Sequence, residues 1–224
     1  MQQNAPDANS RLRALITQGR EGRDREYKGA SGPNSYLWSE YRVRAAIART
    51  CMAMANIGGG SIVIGMDKVD NQWEPNGVDE EADARFQQDV VQQFVNGCAD
   101  PYVELTVHHF DHNSKRFVII EVLGFRELPI VCTGGSDPLS QGDVYTRQGS
   151  DSLRPGAVYT RSHRKWETVR VQSQLEMREL LDRAIAVGVQ KWLTPVFGAM
   201  RDAGIGPIAA LTDEEQFRAQ RGDL

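Results

Sequence analysis

The spacing of apolar residues predicts a chain in which helices and short strands alternate. Leu12, Leu15 and Ile16 recur at helical spacing and are closed off by Gly19. Residues 25–29 read as a short strand, ended by the Gly/Ser/Pro/Asn cluster over 29–35. Ser39 suits a helix N-cap, and the segment 40–55 puts Val43, Ala46, Ile47, Cys51 and Met54 on one helical face. Asn56 and the run Gly58-Gly59-Gly60 end that helix. Residues 61–66 are apolar and rich in β-branched side chains, which predicts a buried strand. The turn-rich stretch 69–77 reads as a hairpin tip. A second amphipathic helix is predicted over 82–96, with Phe86, Val90, Phe94 and Val95 apolar and Gly97 as its stop. Residues 102–110 and 117–123 alternate as two antiparallel strands around a turn at 111–114. Short strands are predicted at 129–132 and 144–147. A third strong helix covers 175–192, with Met177, Leu180, Leu181, Ala184, Ile185 and Gly188 in one stripe and Pro195 just beyond it.

Hairpins in place of repeated βαβ units predict an α+β fold: a mixed, largely antiparallel sheet flanked by helices, with a C-terminal helical extension. The expected organisation is a disordered N-terminus over 1–10, one domain over 11–172 and the helical extension over 173–224. No apolar run reaches transmembrane length, and the opening MQQNAPDANSR has no signal-like core, so no membrane association is expected. Cys51, Cys98 and Cys132 are odd in number and far apart, which argues against a disulfide framework and for a reducing cytoplasm.

The net charge of −4 argues against a polyanionic partner until its distribution is read. Residues 1–50 carry nine Lys/Arg against five Asp/Glu, and residues 144–174 carry six against two. Residues 51–143 carry five against fifteen. Two basic segments therefore flank an acidic middle, and local field decides where a polyanion lands. The bland alternative is a set of solvated faces on unrelated elements.

Three clusters carry candidate chemistry. The acidic residues Glu21 and Glu26 precede Lys28, and Asp67 follows Ile64-Gly65-Met66. Carboxylates placed together at strand ends need neutralising, and a hard cation such as Mg²⁺ or Mn²⁺ takes oxygen ligands and can activate water. Lys28 would then stabilise charge in a phosphodiester transition state. The same residues also read as an ordinary solvated stretch. The glycine run does not suit a phosphate loop, because the order is helix, glycines, strand, with no lysine following; a helix cap and tight turn account for it. Tyr145-x-Arg147-x-Gly149-Ser150 offers an arginine fork for phosphate. Downstream, Arg154, Arg161, His163, Arg164, Lys165, Trp166 and Arg170 suit backbone contact plus stacking on an unpaired base, or else form a charged loop leading into the last helix. His108, His109 and His112 read as surface histidines.

In this order the clusters resemble the Schlafen AlbA-like domain. The resemblance is carried by Glu21, Glu26 and Lys28, by Ala53-Met54-Ala55-Asn56-Ile57-Gly58-Gly59, by Ile64-Gly65-Met66-Asp67, and by Tyr145 to Ser150, over about residues 20–155. It implies a metal-dependent endoribonuclease acting on structured RNA such as tRNA, with Glu21, Glu26 and Asp67 holding Mg²⁺ or Mn²⁺, plausible in stress or anti-phage defence. The alternative is a non-catalytic DNA- or RNA-binding module of a regulator or defence protein. ATP binding is disfavoured. Animal members carry two such lobes and a zinc finger. This chain has one lobe, which implies a homodimer, and its C-terminal helix is a candidate contact for the second copy or a protein partner.

Overall fold

The computed structural model describes residues 8–30, 41–134 and 153–202. The predicted strand at 144–147, together with Tyr145, Arg147, Gly149 and Ser150, lies outside the described residues. The elements run α1 (Ala8–Thr17), β1 (Arg25–Lys28), α2 (Tyr41–Ile57), β2 (Gly59–Ile64), β3 (Met66–Val69), β4 (Gln72–Pro75), α3 (Glu80–Arg85), α4 (Gln88–Asn96), β5 (Ala99–Asp100), β6 (Leu105–His112), β7 (Lys115–Leu123), β8 (Val131–Cys132), β9 (Tyr159–Arg161), β10 (Thr168–Arg170) and α5 (Gln174–Asp202). The α+β expectation holds. The main sheet has the order β1-β2-β7-β6, in which only β1 and β2 run parallel.

The sheet is buried on both faces, which explains the unbroken apolar run in β2. Val63 faces the same side as Ile119 across the ladder, and both join Leu12, Ile16, Tyr27, Met66 and Phe117 in one core beneath α1. Ile62 and Ile64 alternate to the other side, opposite Ile120 and Val118, where α2 packs. Helix α2 buries every residue from Thr50 to Asn56. That exceeds a single stripe, because β8, β9 and β10 cover the side that the sheet leaves open. Along β1 the alternation puts Tyr27 under α1 and sends Glu26 and Lys28 to the α2 side.

The hairpins form where the turn residues predict them. Asp70 and Asn71 (φ 47° and 67°) join β3 to β4, and Asn113 and Ser114 (φ 50° and 61°) join β6 to β7. Helix α1 begins at Ala8, inside the segment expected to be disordered, and β9 and β10 form where no strand was expected. Three further differences have a local cause. The strand predicted over 61–66 ends at Ile64, because Gly65 at φ 108° turns the chain into a separate hairpin; a side chain there would press on Gly77 and Phe117. The helix predicted over 82–96 is two helices. Asp79 caps the first through Ala82 N–H (2.7 Å), and the fully buried Phe86 leaves helical geometry to reach the core. Helix α4 then restarts so that the Gln88 amide meets the β6 edge, bonding Leu105 O (3.1 Å) and Val107 N–H (2.7 Å). Finally, α5 continues through Pro195, with the Thr194 hydroxyl donating to Gln190 O (2.8 Å) beside the proline.

The chain divides into two compact units, Met1–Ala184 and Ile185–Leu224. The first holds the sheet and every candidate site residue named from the sequence. The described part of the second is the helix from Ile185 to Asp202.

Candidate nucleic-acid interface and the buried carboxylate

The alternation of β1 sets Glu26 and Lys28 side by side, and β9 brings Arg161 to the same place. Glu26 Oε1 accepts from Lys28 Nζ (2.5 Å), and Oε2 faces Arg161 Nη1 (2.5 Å). The Arg161 side chain is 0% exposed and that of Glu26 only 12%. The guanidinium also donates to Arg23 O (3.2 Å), Gly22 O (3.3 Å) and Thr168 Oγ1 (3.2 Å). Arg161 was expected among the cations gripping nucleic acid. Its burial corrects that: it clamps the approach to β1 against β9 and meets no solvent.

Glu21 sits just ahead of β1, its carboxylate accepting the Tyr27 N–H (3.3 Å). Burial, and next the negative charge of Glu26, hold its pKa above the usual carboxylate value; the Tyr27 hydrogen bond and the cations Lys28 and Arg161 oppose the rise. The third expected ligand, Asp67, lies at the other end of β1. One oxygen accepts the Ala30 N–H (3.2 Å), and the other accepts Asn76 Nδ2 (3.1 Å). Asp67 thereby ties the β3–β4 hairpin to the chain leaving β1.

A divalent ion needs several oxygen ligands converging on one point. Here Glu26 is bracketed by two cations, and the Asp67 oxygens serve backbone and amide donors. Among the described residues no three His, Cys, Asp or Glu side chains are placed to hold a metal ion. As arranged, Glu21, Glu26 and Asp67 do not fit such an ion.

The remaining cations present a different picture. The β9–β10 hairpin is pinned by Ser162 N–H to Glu167 O (2.8 Å) and by Arg164 N–H to Ser162 Oγ (3.2 Å). Its turn exposes Arg164, Lys165 and Trp166, with Trp166 at φ 57° and 41% exposed. His163 is also exposed but leans on Glu179 (2.8 Å), which Arg23 holds as well (2.7 Å). Arg154 is exposed ahead of β9, its N–H bonded to the Tyr159 hydroxyl (3.0 Å).

The glycine run serves geometry. Gly58 ends α2, and Gly59 at φ 113° opens β2, where an added Cβ would stand 2.8 Å from Val122 O. Beside it lies a cavity of about 480 Å³ lined partly by Arg11, Arg23, Gly60 and Glu121. Arg11 pairs with Glu121 at 2.7 Å. The asparagine ahead of the glycines, read from the sequence as part of the helix end, also ties elements together. Buried Asn56 donates to Ile130 O and Tyr159 O (both 2.9 Å) and accepts Ile130 N–H (2.7 Å), locking α2 to β9. The signal was a polar residue at the end of an apolar helix, which is buried only when fully bonded. His108 pairs with Glu121 (2.9 Å) and His109 with Asp83 (2.6 Å), and both are half-buried, unlike the surface histidines expected.

The family model for the Schlafen AlbA_2 domain matches residues 21–155. The chain belongs to this family. Membership supports a function on nucleic acid. No curated protein is significantly similar to the chain. The solved structures that resemble it include two of low identity. One is the DIP2311 protein from Corynebacterium diphtheriae, at 16% identity and TM-score 0.37, over 64% of this chain and 25% of that one. The other is the N-terminal domain of an ATP-dependent DNA helicase RecG-related protein from Nitrosomonas europaea, at 20% identity and TM-score 0.37, over 66% of this chain and 93% of that one. The present chain thus spans about a quarter of the first of these relatives. Among the described residues, no helix of this Schlafen-family chain is long and apolar enough to cross a membrane.

Proposed function

We propose that this protein binds nucleic acid through the β9–β10 turn, and that the Glu26 cluster is the scaffold behind that surface. The observation that carries the proposal is the joint exposure of Arg164, Lys165 and Trp166 on one pinned turn. Two cations suit phosphates, and an exposed indole suits an unpaired base. Arg154 adds a further exposed cation in the first unit. One such turn makes few contacts, so the reading includes the expected homodimer, which doubles them on one strand. The test is binding of the wild type and of an Arg164→Ala/Lys165→Ala variant to a single-stranded oligonucleotide and to tRNA across a salt series. The variant should bind more weakly, with a log–log salt slope flatter by about 1.4 for a single strand, at roughly 0.7 per phosphate contact. An unchanged slope would remove the turn from the interface.

A metal-dependent endoribonuclease acting on tRNA-like RNA is the second reading. It draws on the family match, and it requires Glu21, Glu26 and Asp67 to rearrange around an ion, because Glu26 is already bracketed by Lys28 and Arg161. Its residues are Glu21, Glu26, Lys28 and Asp67. Incubating tRNA with Mg²⁺ or Mn²⁺ and either wild type or Asp67→Ala separates the two readings. Cleavage by the wild type and not by the variant replaces the binding-only reading. No cleavage by either retires the nuclease.

A further inference from the structure

We infer that the second unit is a self-association element, in which the helix from Ile185 to Asp202 pairs with the same helix of a second copy. The segment has one apolar face, and its described side chains are exposed. Ile185, Val189, Trp192, Leu193, Val196 and Phe197 are between 42% and 79% exposed. Their intervals of three, four and one place them on a single side, while Lys191 and Thr194 fall on the other. Singly exposed apolar residues need no explanation, but six contiguous ones on a helix mark an interaction surface.

The occupant that fits is another copy. The six positions carry no charge that would select a charged partner, and an apolar face is complementary to its own two-fold image. Burying a large apolar side chain removes roughly 60–120 Å² from water, so one helix offers about 400–700 Å². A standard interface takes about 800 Å² per partner, and weaker ones take less. Two copies of this face therefore reach the size of a modest dimer with no help from the first unit. Gly188 agrees with close helix approach. It lies beside the face, a Cβ added there would meet nothing within 4 Å, and glycine otherwise disfavours a helix interior.

The inference does not rest on the nucleic-acid reading, and its test omits nucleic acid. Light scattering on the full chain should give twice the 25.0 kDa chain mass. A Val189→Glu/Trp192→Glu variant should fall to the single-chain mass while the first unit keeps its unfolding midpoint, and Lys191→Glu on the polar side should stay doubled. A wild type at single-chain mass up to its solubility limit overturns the inference. So does a double-glutamate variant that keeps the doubled mass.

Discussion

Arg161 and the pair Arg164/Lys165 lie within five positions of each other in one basic run, yet they do opposite things. Arg161 is sealed between β1 and β9 with a carboxylate and three further acceptors, whereas Arg164 and Lys165 stand in solvent on the turn beyond. A buried guanidinium is a structural bond whose removal strands a charge. An exposed one barely affects stability and is available to a polyanion. A run of cations is therefore no single patch, and whether each sits in the covered strand or on the turn decides which of them a ligand can meet.

The sharpest way to break this contrast is Arg161→Met. The variant leaves Glu26 buried with only Lys28 opposite, and we expect a loss of about 3–5 kcal/mol in urea unfolding. Arg164→Ala in parallel should stay within about 0.5 kcal/mol of wild type. If the two cost alike, the contrast between clamp and surface fails.

Much of the fold around this contrast was legible beforehand, for identifiable reasons. Short-range chemistry announces itself: the turn residues over 111–114 mark the β6–β7 hairpin and the β-branched run marks β2, whereas the stretch 69–77 read as a tip also holds β4. What depends on a distant partner does not. Phe86 fits a continuous helix by periodicity, and only the core it enters shows why the helix breaks. Pro195 reads as a stop, yet α5 runs on through it. At the site, the nearness of Glu21, Glu26 and Lys28 could be read from β1 alone. The burial of Arg161 and the bonding of Asp67 to Ala30 and Asn76 depend on contacts from far along the chain.

Asn56 sharpens the same contrast from the side of α2. Asn56→Ala leaves the Ile130 N–H and two carbonyls without partners in the core, and we expect about 2–4 kcal/mol of destabilisation by urea unfolding. Because β9 is one of the strands it holds, the variant should also loosen the turn and weaken binding. A variant as stable as wild type would show that water replaces the amide. Trp166→Ala addresses the exposed side alone. It should cost about 1–3 kcal/mol in binding a single strand, with no change in the unfolding midpoint. Equal affinity for duplex and single strand in both proteins would exclude stacking.

The smallest effect tests whether the Glu26 cluster is electrostatically strained, as a scaffold that has enclosed two carboxylates should be. Burial and the Glu26 charge raise the folded-state pKa of Glu21 above its ordinary 4.5. A raised pKa means the folded state holds the proton more tightly than the unfolded chain. The associated stabilisation is fully present below about pH 4.5 and is lost as pH rises through the folded value. Ionising Glu21 in the folded state thus works against its surroundings. Glu21→Gln keeps an acceptor for the Tyr27 N–H and removes that charge, so it should be the more stable protein at pH 7. Its advantage should shrink as pH falls towards 4.5, because wild-type Glu21 is then protonated too. A variant less stable than wild type at pH 7 would mean that the Glu21 charge contributes more through Lys28 and Arg161 than it loses to burial and Glu26, and the cluster would then be balanced by its cations, not strained.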